Sequence, residues 1–194
     1  MNFLRNYWQY LTLTLLVILG LYMLTTGQTS LPHLQAFLVY NFMALLAHQC
    51  EEYIFPGGGG IVINRGTYDE KDNFRRYPGN TQSSLLVNFS AYIAYVLTIL
   101  FPNAIWLGIG VMFFNLMQFP GHVISNNKAL KTWYNPGMAT TILLFTPMSF
   151  YYFYYVISQG LVSGWDWLFG LLTFVALVAL TVILPVQYYK NPDS

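Results

Sequence analysis

Of the 194 residues, only 8% are charged, against about 25% in ordinary soluble domains, while 56% are hydrophobic and 19% aromatic. So little charge cannot cover a soluble domain of this size, and a formal net charge of +1 offers no basic surface for nucleic acid. The single cysteine, Cys50, excludes an intrachain disulfide, and the composition is that of an integral membrane protein.

Six apolar segments follow in chain order, at about 8–26, 34–52, 85–101, 103–122, 136–158 and 166–187. Each is near the ~20 residues that a bilayer-spanning helix needs. The first begins with Tyr7, Trp8 and Tyr10, an aromatic set suited to a headgroup boundary. The stretch MLTTGQTS that closes it has no A-x-A-like site, so it is read as a span and not as a cleaved signal peptide. The second segment ends in HQCEE, which places His48, Glu51 and Glu52 at the end of an otherwise oily run.

Residues 53–84 then form the sizeable hydrophilic connection, nearly balanced in charge and expected to be a cytoplasmic linker. Its GGGG run lacks the Lys-Ser/Thr ending of a phosphate loop, although four glycines would let it close over a site as a lid. The fourth segment ends in FFNLMQFPGHVISNN, and the fifth opens from TWYNPGMATT. SFYYFYYV within the fifth reads as an aromatic belt, and the sixth is bracketed by Trp165, Trp167, Tyr188 and Tyr189. The expected fold is all-α: one polytopic membrane domain over residues 1–194, a bundle of about six transmembrane helices.

The basic residues set the expected topology. All eight fall in alternate connections: Arg5; Arg65, Lys71, Arg75 and Arg76; Lys128 and Lys131; Lys190. The positive-inside rule then places both termini in the cytoplasm. On that map the second segment ends inside with His48, Glu51 and Glu52, whose spacings put the histidine on one face with both glutamates. Asn41 lies seven residues back on the same stripe. The fourth segment also ends inside, carrying Asn115, Gln118, His122 and Asn126, and the fifth starts there. Three helices therefore bring polar groups to one depth, where ionisable residues mark function more often than structure.

Imidazoles and carboxylates are ligands for zinc or another divalent metal, and such sets leave room for water. The expected ligands are His48, Glu51 and His122, with Glu52 as acid/base beside them. A metal-free site is also writable, in which a glutamate activates water and His122 stabilises an oxyanion. The motif is not HExxH, so the thermolysin arrangement is absent. In YNPG, Pro136 suits a first helical turn, Asn135 an N-cap, Tyr134 the interface and Gly137 close packing. Asn115, Asn126, Tyr134, Asn135 and Gly137 are the expected substrate contacts, at a helix start that could hold an anionic headgroup.

His48, Glu51 and Glu52, followed by His122 and then Tyr134, Pro136 and Gly137, resemble the HxxEE-domain family of small multi-spanning membrane proteins. That family carries the HxxEE motif, a further histidine and a YxPG motif in the same order. A weaker likeness is to the CAAX-protease and bacteriocin-processing enzymes, with Glu51–Glu52 and an HxxxN at His122 and Asn126. The chain departs from those enzymes in lacking the arginine of EExxxR and the FxxxH motif. Adjacent glutamates are also similar to the PxEE of a carotenoid cyclase type, but Gln49 and Cys50 precede the pair here. The expected function is a hydrolytic, metal-dependent membrane enzyme acting on a lipid, isoprenoid or membrane-embedded peptide within the bilayer. The alternatives are an ion- or proton-coupled carrier, which the scarcity of ionisable groups beyond His33 in the outer halves disfavours, and a non-catalytic assembly protein.

Overall fold

The computed structural model describes residues 2–191, and these are helical with no strand among them. Seven helical runs follow one another. Helix α1 covers residues 2–30, α2 is His33–Tyr53, and α3 is a short run over 59–67. Helix α4 is Thr81–Leu100, α5 is Ile105–Leu130, α6 covers 138–158 and α7 is Gly164–Tyr189. The six apolar segments are thus six long helices, and their ends lie within a few residues of expectation except at α1 and α5. Helix α5 continues well past His122, and Pro120, which has no N–H to give, stands where its turns widen. The register there widens to a π-helix over Pro120–Asn126, and the chain leaves only at Lys131, in the left-handed region with φ 53°.

Local signals account for the helix starts. The Asn80 side chain accepts from the Gln82 and Ser83 amides at 3.0 and 3.1 Å, and Ser83 Oγ returns the bond to the Asn80 amide, a capping box that opens α4. Asp166 accepts the Ser163 N–H at 2.8 Å and so opens α7.

Helices α1, α4, α5 and α7 are long and apolar enough to cross a membrane. Apolar side chains such as Leu24, Ile93, Leu172 and Leu180 are exposed along them, as a lipid-facing surface requires. Helix α2 is buried on several sides, through Leu38 and Leu46 and through the polar Asn41, His48, Gln49, Glu51 and Glu52. Its polar residues are turned inward. Gln49 is tied to α4 by the Tyr92 hydroxyl, which donates at 2.6 Å and is itself 2.7 Å from Thr12 of α1.

One end of the bundle gathers the site. Trp8 near the start of α1 meets Tyr53 at the end of α2, with ring centroids 4.8 Å apart, and Asn80 before α4 donates to the Tyr189 carbonyl at the end of α7. Helix α3 packs on the π-helical part of α5. All eight basic residues therefore lie toward this end.

Residues 53–84, expected to be a linker, are instead folded. Buried Asn64 of α3 donates to the carbonyls of Phe74 and Gly79 at 2.9 and 2.8 Å and accepts the Gly79 N–H at 2.7 Å. That side chain satisfies the turn from both sides and so fixes the fold of the segment.

Small residues allow a close helix approach between α5 and α7. A Cβ on Gly170 would lie 2.5 Å from Ile109 Cγ2 and 3.2 Å from the Trp106 carbonyl oxygen. Gly170→Val is expected to lower the thermal unfolding midpoint in detergent, by the equivalent of about 1–3 kcal/mol of overpacking, as followed by tryptophan fluorescence.

Candidate functional site

Four ionisable side chains meet where α2 ends, α5 widens and α6 begins. His48, Glu51, Glu52 and His122 are 4%, 9%, 7% and 5% exposed, so each charge or lone pair must find a partner inside the protein. The two imidazole rings stand nearly perpendicular, with centroids 5.1 Å apart. Glu52 Oε1 lies 3.7 Å from His48 Nε2 and 3.4 Å from His122 Nε2.

Hydrogen-bond arithmetic fixes both rings. Asn135 Nδ2 gives its hydrogens to the His122 carbonyl at 2.6 Å and to Asn127 Oδ1 at 2.8 Å, so the Asn135 amide is oriented. Its Oδ1, 2.8 Å from His122 Nδ1, must accept, which puts the His122 proton on Nδ1. Thr140 Oγ1 gives its single proton to Glu51 Oε2 at 2.5 Å and must therefore accept from His48 Nδ1 at 2.8 Å. Both histidines thus present an Nε2 lone pair toward Glu52. Three acceptors face one another, and the arrangement calls for a cation or a proton between them.

His48, Glu52 and His122 offer donor atoms within 4.8 Å of one another, close enough to hold a metal ion. Rear nitrogens bonded to Thr140 and Asn135 are the supporting shell that orients metal-ligating imidazoles. Glu51, expected as a ligand, is not in this group. Its Oε1 accepts from the Tyr134 hydroxyl at 2.7 Å and the Ala139 amide at 3.0 Å; its Oε2 accepts from the Thr140 amide at 2.8 Å as well as from the Thr140 hydroxyl. The carboxylate sits on the first amides of α6, where a helix start favours negative charge. Burial, with Glu51 alongside, pushes the Tyr134 phenol up to about 12, so it remains a donor at neutral pH.

A cavity of about 250 Å³ is lined by His48, Glu52 and His122. Leu45, Val87, Phe114, Met117, Val182 and Val186 give it an apolar wall, and Gln49, Asn88, Gln118 and Asn126 give it amides near His48 and His122. Ile63, Thr67 and Tyr68 of the 53–84 segment close it. Of the expected substrate contacts, only Asn126 lines this space. Asn115 is spent deeper in the bundle, donating to Asn41 Oδ1 at 2.8 Å and accepting from the Tyr95 hydroxyl. Tyr134, Asn135 and Gly137 stand behind the site.

The YNPG stretch is corrected in its details. Helix α6 begins at Met138, after Gly137, so Pro136 precedes the first turn and Asn135 holds His122 without capping the helix. Gly137 has φ 94°, and a Cβ there would come 2.8 Å from His48 Cε1 and against the His122 ring. Only glycine fits both the backbone and the space.

The protein family described as "Protein of unknown function with HXXEE motif" matches residues 39–152, more than half of the chain. The chain belongs to the HXXEE family. The matched region contains every residue of the cluster and the YNPG stretch that supports it. No curated protein and no solved structure matches the chain, and nothing supports the likeness to CAAX proteases.

Among HXXEE residues in this chain, sequence reasoning missed Thr140, which touches both His48 and Glu51. The available signal was its place three residues after Gly137, where the first-turn amides of a helix gather. Glu51→Gln is expected to cost about 1–3 kcal/mol of stability in chemical unfolding, because the amide sets its own N–H donors against those of α6. Tyr134→Phe removes one donor of the four and is expected to cost less, about 1 kcal/mol, by the same measurement.

Proposed function

We propose that the chain is a metal-dependent hydrolase of the membrane, with six spans, both termini in the cytoplasm, and its site opening on the cytoplasmic side. The observation that carries this reading is the convergence of the His48 and His122 Nε2 lone pairs on Glu52, with both rear nitrogens tied. Three protein ligands with an open position are the donor set of catalytic zinc sites. Clustering of the basic residues at the same end supports the orientation.

His48, Glu52 and His122 would hold a divalent cation, which when bound would supply a Lewis acid for a carbonyl or phosphoryl oxygen and for water. Thr140 and Asn135 keep the imidazoles in the tautomer that binds. Both histidine contacts are made by Glu52 Oε1, so its second oxygen would be free to take a proton from the attacking water. Glu51 holds α6 and takes no part in proton transfer. The apolar cavity wall selects a lipid, isoprenoid or membrane-embedded peptide, and the amides of Gln118 and Asn126 orient its polar part.

Elemental analysis of the purified protein tests the site. About one divalent ion per chain is expected, lost in His48→Ala, His122→Ala and Glu52→Gln but retained in Tyr134→Phe. Protein that takes up no ion when supplied with zinc, manganese or iron sinks the metal-dependent mechanism. Asn135→Ala is expected to weaken the ion by about 10–100-fold in competition with a chelator, because His122 loses its tautomer and orientation.

A cation or proton carrier is the second reading. Asn41 Nδ2 and Thr141 Oγ1 are buried without a partner among the described residues and leave polar capacity along α2 and α6. Ion flux in liposomes, abolished by Glu52→Ala, is the outcome that would favour it.

A further inference from the structure

A second pocket, of about 260 Å³, shares the Tyr53 side chain with the cavity. It is lined by Arg5 and Asn6 from α1, Arg75 from the folded segment, Thr81 and Ser84 from the start of α4, and the glycine turn over 58–60. Its charged residues are both arginines, and no carboxylate lines it among the described residues. Neither arginine enters an ion pair among the described residues, and Arg75 rests 5.7 Å from the Phe74 ring. Trp8 and Tyr53, packed edge to face, form its apolar floor.

The glycine turn joins this pocket to the site. A Cβ on Gly59 would lie 3.0 Å from Glu52 Cβ, so the turn sits directly on the carboxylate residue that meets His48 and His122. Gly58 has φ 99°, and a Cβ at Gly58 or Gly60 would meet nothing within 4 Å, so the backbone there is open. Two guanidinium groups, side-chain hydroxyls and accessible backbone suit a compact anion with several acceptor oxygens.

We propose that this pocket binds the phosphate group of an anionic lipid whose apolar part enters the cavity beyond Tyr53. The substrate half of this assignment rests on the hydrolase reading; the anion site does not. The two arginines and the aromatic floor lie at one end of the bundle, where a phosphate headgroup and the first methylenes of its chains would meet a membrane protein. Tyr53 then stands between headgroup and chain, with Glu52 at the level of the bonds that join them.

The full-length protein in neutral detergent, titrated with phosphatidic acid and followed by native mass spectrometry, tests the proposal. Phosphatidylcholine with the same acyl chains serves as the lipid without net charge, and inorganic phosphate as the competitor. Wild type is expected to prefer phosphatidic acid. Arg5→Gln with Arg75→Gln is expected to weaken that binding about tenfold or more at an unchanged thermal midpoint, and each single variant to fall between. Arg76→Gln, outside the pocket, is the control for general attraction of an anion to a basic end, and an equal loss there overturns the site. Full binding by the double variant also overturns it. Displacement by inorganic phosphate with no preference between the lipids keeps the phosphate site and overturns the lipid assignment. Asn135→Ala, which lines neither pocket, is expected to bind phosphatidic acid as wild type does while its hold on the metal weakens, so failure of the hydrolase reading is visible separately from failure of the anion site.

Discussion

A carboxylate buried at the end of α2 needs donors, and the first turn of α6 needs an acceptor. Glu51 and residues 139–140 satisfy each other, and Tyr134 adds a phenol to the same carboxylate. This contact fixes where α6 starts relative to α2. It places Thr140 behind His48 and Gly137 between the two rings, so the histidines inherit their orientation from a cap. Breaking it would leave an uncompensated charge and free backbone amides in one place, where both are costly.

The HXXEE stretch and the YNPG stretch are therefore two halves of one device. One carries the groups that face the cavity, and the other carries the groups that keep them there. Asn135 acts for His122 as Thr140 acts for His48, from the same short span of chain. Each supporting group has its donor hydrogens spent elsewhere, which removes the alternative tautomers. The π-helical stretch Pro120–Asn126 brings His122 into the cluster from α5, a use of wide turns common at functional sites.

Two pockets at one end of the bundle divide polar from apolar recognition. The cavity beside Glu52 has a hydrocarbon wall, and its neighbour beside Gly59 has two arginines over an aromatic floor. Folding of residues 53–84 creates this division, since α3 closes the first and Arg75 lines the second. Glycine next to Glu52 allows that segment to approach the helix backbone within van der Waals contact.

Much of this was legible from residue types and order. Scarcity of charge demanded a membrane bundle; apolar length marked its long helices; the spacing of His48 with the glutamates, and the company of His122 and YNPG, marked the site. Those features depend on composition and local periodicity, which a single chain displays in full. The fold of residues 53–84 was not legible, because it rests on Asn64 bonding to Phe74 and Gly79 across a turn. Nor was the separation of Glu51 from Glu52. Adjacent helical residues point about 100° apart, so only one of the pair can face the cavity, and the rotation of α2 among its neighbours chooses which. The sequence by itself determined that two carboxylates and two histidines meet at one end of a membrane bundle. Only the tertiary structure decided that Glu51 holds the helix and Glu52 faces the cavity.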